Sequence, residues 1–503
     1  MKLQGQLVDK LPLKEAATRS INPPGSLMPL LISQRCLSNA TEELARQTGA
    51  LVKSHYSPIV ETITMPKRGH GPRPITILPP EARVLYEALV QELEPHLPAS
   101  SRDIDIDEHR KFGTDDSVDP TKYIVDFDIA AFYEYVDHRI LAEELLMQTM
   151  NSSAVSALND LLHAMFPRKI GIPQAMQPSH RISDAYIQKL ERQLVRKGFS
   201  VHRYVDDFRL IADDQSAAHD AIEYAVDMAR EIGLVLADGK TKLWPKQRVK
   251  EDIDKINRAF DEFRSQAEDE LWAVETERMG YDDEPFFDDD DDDDDLAAQD
   301  EDEIDFASLS RVIEDWSRGE EPMRGVHAHF GPGTLKRLQS ATSRLEDDWL
   351  VKITEREPIR LYEVISYLRR RSEMDQNWAA LRRLTQLPRQ SPWAKLWMVG
   401  LAGQLAAGAS EHEREILDWV KQLLQDRHET VRAEAAWFLS RRRSISMEEL
   451  AEIYMQASDV TRVGVAACVG SLDGNTASTV GKAIKGDSKL CNAAYNWGST
   501  YVD

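Results

Sequence analysis

Eight consecutive aspartates, Asp288 to Asp295, constrain the fold of this chain more than any other feature. Like charges side by side repel one another, so this stretch cannot contribute to a core. The whole segment 276–306 is strongly acidic, and we predict that it is a flexible linker. The linker separates an N-terminal part, residues 1–275, from a C-terminal part, residues 307–503, and the two parts have different patterns.

The net charge of −24 comes mostly from this linker. Sixteen acidic residues and no basic residue lie between Tyr281 and Phe306, so the remainder of the chain carries only about −8. Basic residues cluster locally instead, near Lys67 and Arg73 and again from Lys240 to Lys250. The charge excludes nonspecific coating of DNA but allows a local cleft for nucleic acid. An alternative role for the acidic run is an electrostatic tail that competes with nucleic acid for a basic groove.

The N-terminal part intersperses short β-rich runs with helical patterns. Strand-like runs are PITIL at 74–78, KYIVDFDI at 122–129 and HRYVDDFRLIA at 202–212, whereas EARVLYEALVQEL at 81–93 has helical spacing. Strands and helices mixed in this way indicate an α+β or α/β architecture.

The C-terminal part is predicted to be all-α, because apolar residues recur with i, i+3, i+4 spacing. Val431–Ala436 is echoed by Thr461–Ala466, thirty residues later. This period resembles α-solenoid repeats of the HEAT type, in which small residues let helices approach closely and the Arg bonds a preceding carbonyl or acid. A generic helical bundle is the alternative. Either arrangement predicts a scaffold or docking surface without chemistry of its own.

Several features predict a cytoplasmic protein without a membrane partner. No stretch approaches the roughly 18 uninterrupted apolar residues that a membrane span needs, and the N-terminus lacks the apolar run of a secretory signal. Cys36, Cys468 and Cys491 have neither metal-type nor disulfide-type spacing.

Adjacent carboxylates interrupt a predicted hairpin at Asp206 and Asp207, and a second apolar strand ends on Asp128. Neighbouring like charges cost energy unless a cation neutralises them, and Mg²⁺ prefers hard carboxylate oxygens. Two-metal phosphoryl transfer uses a carboxylate from one strand and one or two from another. We therefore predict that these three aspartates hold two Mg²⁺ ions, with Mn²⁺ as a substitute. Asp126 is either a supporting group or a salt-bridge partner, and the salt bridge is favoured.

Five segments, in this order, resemble the motifs of the reverse-transcriptase family over residues 60–245. They are PKRGHGPRPI at 66–75, DIAAFY at 128–133, GIPQAMQPS at 171–179, YVDD at 204–207 and GLVLADGKTK at 233–242. Five ordered motifs are far more specific than any single one. The resemblance implies an α+β fold, with a fingers/palm domain in residues 1–275 followed by a HEAT-like helical domain. It also implies an RNA-directed DNA polymerase.

The resemblance assigns roles to individual residues. The catalytic set comprises Asp128, Asp206 and Asp207 as metal ligands and Lys240 as a proton donor to the leaving pyrophosphate. Lys67 and Arg73 correspond to cations that grip the triphosphate. Tyr133 corresponds to the aromatic residue that blocks a ribose 2′-hydroxyl. The nucleotide-binding set is Lys67, Arg73, Ile129, Tyr133 and Gln174.

One residue departs from the family pattern. Glycine usually follows the Gln of the second motif, whereas this chain has Ala175. Glycine there allows the backbone to approach the base pair closely, and a methyl group would crowd it. A repetitive, template-independent or protein-directed product is therefore an alternative to conventional copying.

A palm followed by helical repeats resembles bacterial reverse transcriptases of the abortive-infection and antiphage-defence group. The resemblance implies dNTPs as substrates, a DNA product and an RNA partner, such as a dedicated noncoding RNA. It also implies a homo-oligomer or a complex with a partner polymerase.

Tyr495 and Tyr501 are candidate priming hydroxyls, although ordinary surface tyrosines are favoured. The alternatives are a catalytically silent, RNA-binding sensor or scaffold, and a cyclase-like palm enzyme, which would need neither the Pro-Gln segment nor the fingers cations.

Overall fold

The computed structural model describes most of the chain outside the acidic segment. The described ranges are 1–21, 28–67, 71–103, 106–115, 117–251, 306–319, 324–338, 344–371, 374–408, 411–474 and 476–501. The predicted linker lies outside these residues except for Phe306. In the described part, no helix is long and apolar enough to cross a membrane.

The N-terminal part is mixed, as the sequence predicts. Its helices are α1 (Gly5–Val8), α2 (Leu13–Ile21), α3 (Ile32–Arg35), α4 (Thr41–Ser54), α5 (Pro80–Leu93), α6 (Ile106–Lys111), α7 (Phe132–Tyr135), α8 (His138–Thr149), α9 (Ser152–Met165), α10 (Gln177–Lys197) and α11 (Gln215–Glu231). Its strands are β1 (Glu61–Pro66), β2 (Pro72–Ile77), β3 (Tyr123–Asp128), β4 (Ser200–Tyr204), β5 (Asp207–Ala212) and β6 (Lys242–Pro245).

The strands form two antiparallel sheets. The first sheet is the hairpin β1–β2, and the second has the order β4-β5-β3-β6. Residues opposite one another in register share a face of the sheet. One face of the second sheet therefore carries Asp128 and Asp207, whereas the other carries Phe127 and Phe208, whose rings stack at 4.9 Å. Helices α10 and α11 contact this sheet.

Local sequence sets the helix ends around the second sheet. The Asp137 carboxylate caps α8 by accepting from the Ile140 N–H at 3.0 Å, and Asp214 caps α11 through the Ala217 N–H at 2.8 Å. Helix α10 has Pro178 in its first turn, where a missing N–H costs nothing, and stops at Gly198, whose φ is 101°. These residues set the bounds of the three helices, of which α10 and α11 contact the sheet.

The described C-terminal part is entirely helical, and the predicted fold class is confirmed. The helices are α12 (Phe306–Arg318), α13 (Arg324–Arg337), α14 (Asp347–Arg356), α15 (Leu361–Arg370), α16 (Met374–Thr385), α17 (Pro392–Gln404), α18 (Glu411–Leu423), α19 (Glu429–Arg441), α20 (Met447–Gln456), α21 (Arg462–Asp473), α22 (Thr479–Asp487) and α23 (Lys489–Thr500). Helices two apart pack together along most of the series, from α12 with α14 to α21 with α23. Contacts of this kind are those of stacked helical hairpins.

The internal echo corresponds to equivalent structure. Its two segments lie on α19 and α21, which pack against each other. Arg432 donates to the Asp426 carbonyl at 2.7 Å, and Arg462 donates to the Ala457 carbonyl at 3.0 Å. The predicted bond from each Arg to a preceding carbonyl is therefore confirmed.

The same two helices also hold the N-terminal part. Glu434 of α19 is buried, accepts from the Ile32 N–H and pairs with Arg35 at 2.7 Å. At the equivalent position of α21, a Cβ on Gly464 would lie 2.7 Å from the Ile32 side chain. Glu434 therefore caps α3, and Gly464 lets α3 approach α21 closely. These two contacts join α3 of the N-terminal part to α19 and α21 of the C-terminal part. All three cysteines are buried free thiols.

A second junction joins the hairpin β1–β2 to the helices. Glu61 of β1 accepts from the N–H groups of Glu429 and Thr430, at 2.7 and 3.0 Å, and from the Thr430 hydroxyl. These are the first N–H groups of α19, which no carbonyl of that helix can satisfy. The carboxylate also carries the charge that a helix N-terminus favours. The position of the hairpin is therefore tied to the helical half.

We predict that Glu61→Ala weakens this junction and lowers the melting temperature by roughly 2–4 °C, because loss of a helix-capping acceptor costs about 1–2 kcal/mol. Differential scanning fluorimetry would measure the shift. Glu42→Ala is the control, since Glu42 is exposed and pairs with exposed Lys14. Equal melting temperatures for the two variants would contradict a stabilising junction.

Candidate active site

The second sheet brings two aspartates from adjacent strands face to face. Asp128 of β3 is the register partner of Asp207 of β5, and Asp206 belongs to the turn immediately before β5. Asp128 is buried, whereas Asp206 and Asp207 are partly exposed. Like charges directly opposite one another destabilise a sheet, so this arrangement calls for a cation.

A lysine supplies that positive charge. The Lys240 ammonium lies 2.9 Å from Asp128 Oδ2. Lys240 ends a 3₁₀ turn, Asp238–Lys240, and this turn is held beside β3 because the Ala237 N–H donates to the Asp128 carbonyl at 2.7 Å. The Lys240 side chain is 59% exposed, so the ammonium can leave Asp128 without disturbing a packed core.

Asp126, on the same face, has a separate role. Its carboxylate forms a two-pronged pair with Arg209 of β5, at 2.6 and 2.9 Å. A fork of this kind satisfies both carboxylate oxygens. The favoured salt-bridge interpretation of Asp126 is therefore confirmed.

The carboxylate donor set fits a divalent cation. Hard carboxylate oxygens suit Mg²⁺ and Mn²⁺. Within the described ranges, no three His, Cys, Asp or Glu side chains converge closely enough to hold a metal ion. The Lys240 ammonium takes the place of a cation on Asp128 instead. A metal ion bound to Asp128 would therefore replace the Lys240 ammonium as the positive charge that neutralises this carboxylate.

Backbone strain is concentrated in three loops of the candidate site. Among the described residues, six non-glycine positions have φ in the left-handed region, and three of them are Ala131 (48°), Ala175 (58°) and Val205 (54°). These three follow Asp128, follow Gln174 and precede Asp206, respectively. Val205 is the most costly because it is β-branched. Strain of this kind persists only where the surroundings enforce it, and it is typical of functional sites.

The predicted sugar-discriminating residue is held by α10. The Tyr133 hydroxyl lies 2.8 Å from His180 Nδ1, and the two rings meet edge to face. The Tyr133 carbonyl also accepts from the Ile172 N–H at 2.9 Å, which links this turn to the Pro-Gln segment. Tyr133 is therefore fixed at both its ring and its backbone.

The remaining predicted nucleotide ligands fall into two groups. Ile129 is buried and bridges to Leu236, so its side chain offers no open surface, whereas Gln174 is partly exposed beside Ala175. Lys67 directly follows β1, and Arg73 lies on β2 opposite Met65. These two cations therefore belong to the separate hairpin that Glu61 ties to α19.

A pair of histidines contacts the face of the second sheet that carries the carboxylates. His109 of α6 lies 3.0 Å from His202 of β4, between their Nδ1 atoms. Burial lowers the pKa of His109 to about 3, with further lowering by nearby Arg209. Burial also lowers the pKa of His202. The pair is therefore neutral near pH 7 and adds no positive charge to the site.

Sequence reasoning missed a buried group behind the carboxylates. Arg203, Asp184 and Ser101 are at most 6% exposed and bond to one another beneath the Val205–Asp206 turn. Arg203 immediately precedes the Tyr-Val-Asp-Asp motif, and its charge at a position that alternates inward on the strand is a detectable signal. His180 gave no comparable signal.

One comparison with known proteins agrees with this geometry, namely the match to a family model. Residues 65–251 match the family model described as reverse transcriptase (RNA-dependent DNA polymerase). The chain therefore contains a reverse-transcriptase domain over these residues, which supports the predicted enzyme class, RNA-directed DNA polymerase. No curated protein matches the sequence.

A solved structure of telomerase from Candida albicans, in complex with a TWJ fragment of telomeric RNA, is similar at 12% sequence identity with a TM-score of 0.28. The match covers 73% of this chain and spans 65% of the telomerase chain. A likeness this distant carries no weight for the fold or the activity.

The structure argues against one of the candidate priming tyrosines. Tyr495 is 2% exposed and donates to Asp473 Oδ2 at 2.8 Å. Burial and the neighbouring Asp473 raise the pKa of its hydroxyl. Tyr501 packs against Trp437 and Trp497. Tyr495 is therefore neither an ordinary surface tyrosine nor an accessible nucleotide acceptor.

We predict that Ala175→Gly stabilises the protein. The left-handed conformation costs an L-residue about 1–2 kcal/mol and glycine nothing, and the greater freedom of glycine in the unfolded chain offsets only part of that gain. Differential scanning fluorimetry should show a higher melting temperature. The matched control, Ala217→Gly in α11, should show a lower one because it removes a helix former. A comparable decrease in both variants would contradict strain at position 175.

Proposed function

We propose that this chain is a Mg²⁺-dependent DNA polymerase of the reverse-transcriptase type that acts in antiphage defence. The observation that carries the proposal is the pairing of Asp128 with Asp207 across β3 and β5, with Lys240 on Asp128. Two opposed carboxylates and an exposed ammonium contribute little to the stability of the fold. Stability alone would favour apolar or oppositely charged pairs at these positions of the sheet. The arrangement lies within the matched residues 65–251.

In this proposal Asp128 and Asp206 are the principal metal ligands, and Asp207 is the adjacent one. Two bound Mg²⁺ ions would activate a 3′-hydroxyl and stabilise the charge on the leaving pyrophosphate. Lys240 has two roles in succession. Before substrate binds it neutralises Asp128, and once released from that carboxylate its ammonium donates a proton to the departing pyrophosphate oxygen.

The other residues bind and select the nucleotide. Lys67 and Arg73 contact the triphosphate from the β1–β2 hairpin, since an ammonium and a guanidinium both suit phosphate oxygens. Tyr133, fixed by His180, excludes a 2′-hydroxyl and so selects dNTPs. Gln174 lines the nascent base pair, and Ile129 contributes through its backbone because its side chain is buried.

The helical half is proposed to hold RNA or a partner chain. The alternating helix contacts and the equivalent Arg432 and Arg462 bonds support HEAT-like repeats over residues 307–503. Such repeats present extended surfaces for macromolecules. Residues 1–275 then form the catalytic domain and residues 276–306 the linker. The partner is a dedicated noncoding RNA, a second copy of the chain or another polymerase, in the cytoplasm.

One of the three strained loops bears on what is copied. Ala175 keeps the backbone conformation that glycine would adopt, yet adds a methyl group beside Gln174. The product is therefore proposed to be repetitive or weakly templated DNA. Antiphage defence is supported by the combination of this domain with a helical half.

We predict that the purified full-length chain, given Mg²⁺ and dNTPs together with co-purifying RNA, makes DNA that sequencing can read. Asp206→Ala should reduce the product at least a thousandfold, roughly the loss expected when a principal metal ligand is removed. Asp126→Asn is the control, because it alters a carboxylate of strand β3 that pairs with Arg209 and is not a proposed metal ligand. Ribonucleotides should replace dNTPs poorly.

Equal products from wild type and Asp206→Ala would exclude polymerisation by this site. RNA binding without any DNA synthesis by the wild type would support the silent sensor instead.

A further inference from the structure

The turn that carries Asp206 is gripped from behind by side chains. Its strained residue, Val205, has both backbone groups bonded to side chains: the N–H donates to Ser101 Oγ at 3.1 Å, and the carbonyl accepts from Arg203 Nη1 at 2.8 Å. A two-residue turn normally depends on its own backbone conformation, which glycine or asparagine favours. Here a valine takes the left-handed conformation, so outside bonds must hold it.

The two gripping side chains share a carboxylate. Asp184 of α10 accepts from Ser101 Oγ at 2.6 Å and from Arg203 Nη1 at 3.0 Å, and Arg203 Nε also pairs with Glu191 at 2.9 Å. The Arg203 and Asp184 side chains are only 5% and 4% exposed. We call Ser101, Asp184 and Arg203 the buried clamp. Its members come from three elements: a 3₁₀ turn (Ser101–Asp103), α10 and β4.

The clamp lies on the opposite side of the sheet from the carboxylates. Arg203 is the register partner of Phe208, whereas Tyr204 is the partner of Asp207. Arg203 therefore shares the face that packs on α10 and makes no contact with the metal-ligand face. Any effect it has on chemistry must pass through the Val205–Asp206 turn.

Stability alone is a poor reason for the clamp. Desolvation makes a buried ion pair no better than a well-packed apolar pair, and often worse, so such pairs serve better to specify one geometry. A fully satisfied polar network fixes its members rigidly. The geometry that this network specifies is the left-handed backbone of Val205, next to the proposed metal ligand Asp206.

We propose that the buried clamp positions Asp206 for metal binding by holding Val205 in its left-handed conformation. Ser101, Asp184 and Arg203 are positioning residues in this view, since none of them faces the carboxylates. The inference depends on the proposed function, because it takes Asp206 to be a metal ligand.

The chain offers a closely matched pair of variants to test this. Ser100 Oγ donates to the same Asp184, at Oδ2 and 3.0 Å, but Val205 bonds to Ser101. Ser101→Ala therefore removes the bond to the turn together with the bonds to Asp184 and Arg203. Ser100→Ala removes a bond to Asp184 and one from the Arg102 N–H but leaves the bond to Val205 in place.

The experiment measures DNA synthesis by the full-length chain as a function of Mg²⁺ concentration. Ser101→Ala should raise the Mg²⁺ concentration for half-maximal rate about tenfold, the size of effect seen when a group that orients a metal ligand is lost. Ser100→Ala should remain within about twofold of wild type. Arg203→Lys, which keeps the charge but loses the guanidinium fork, should behave like Ser101→Ala. The same Mg²⁺ dependence for both serine variants would overturn the proposal.

A second readout separates this inference from the proposed function. Absence of DNA synthesis by the wild type would count against the polymerase, and Mn²⁺ binding followed by electron paramagnetic resonance would then test the clamp. Weaker Mn²⁺ binding by Ser101→Ala than by Ser100→Ala supports the clamp. Equal binding by the two variants, or no binding by the wild type, overturns it.

Discussion

The mutual repulsion of Asp128 and Asp207 is the constraint on which the rest of the site depends. Strand register forces the two carboxylates together, and a cation must neutralise them. Lys240 does so in the described state, at 2.9 Å from Asp128, and its exposed stem allows it to give way. Under the proposed function, a metal ion would replace the Lys240 ammonium on Asp128, and the released ammonium would serve as the proton donor.

The energetic cost of the site is distributed over its surroundings. Strained residues occupy three of its loops, and the bonds that hold them come from other elements. The buried clamp holds Val205. Hydrogen bonds to α10 and to the Pro-Gln segment hold the Tyr133 turn. The hairpin that carries Lys67 and Arg73 is anchored through Glu61 to α19, and α19 also holds α3 through Glu434. These two carboxylates therefore join the helical half to the N-terminal part at two places.

Much of this arrangement could be predicted from the sequence, because it depends on periodicity and on ordered motifs. The alternation in KYIVDFDI and HRYVDDFRLIA predicts adjacent strands with acids at their ends, and helical spacing predicts the all-α half. The position of Asp126 two residues before Asp128 predicted a shared face of the sheet, and a salt bridge was the favoured of two interpretations. The contacts between distant segments could not be predicted: nothing in the sequence links Ser101 to Val205, Glu61 to Thr430 or Ile32 to Glu434, since these pairs depend on tertiary packing. Tyr495 was misjudged for the same reason, because its burial depends on Asp473 and on the fit of α23 against α21.

The central claim, that the cross-strand aspartates form a metal-dependent polymerase site, is tested most directly by locating the metal. Anomalous X-ray scattering from crystals of the full-length chain soaked with Mn²⁺ and a dNTP would show where the ion lies. We expect density coordinated by Asp128 and Asp206, with the Lys240 ammonium displaced from Asp128. Mn²⁺ bound elsewhere, or absent while Lys240 remains paired with Asp128, would contradict it.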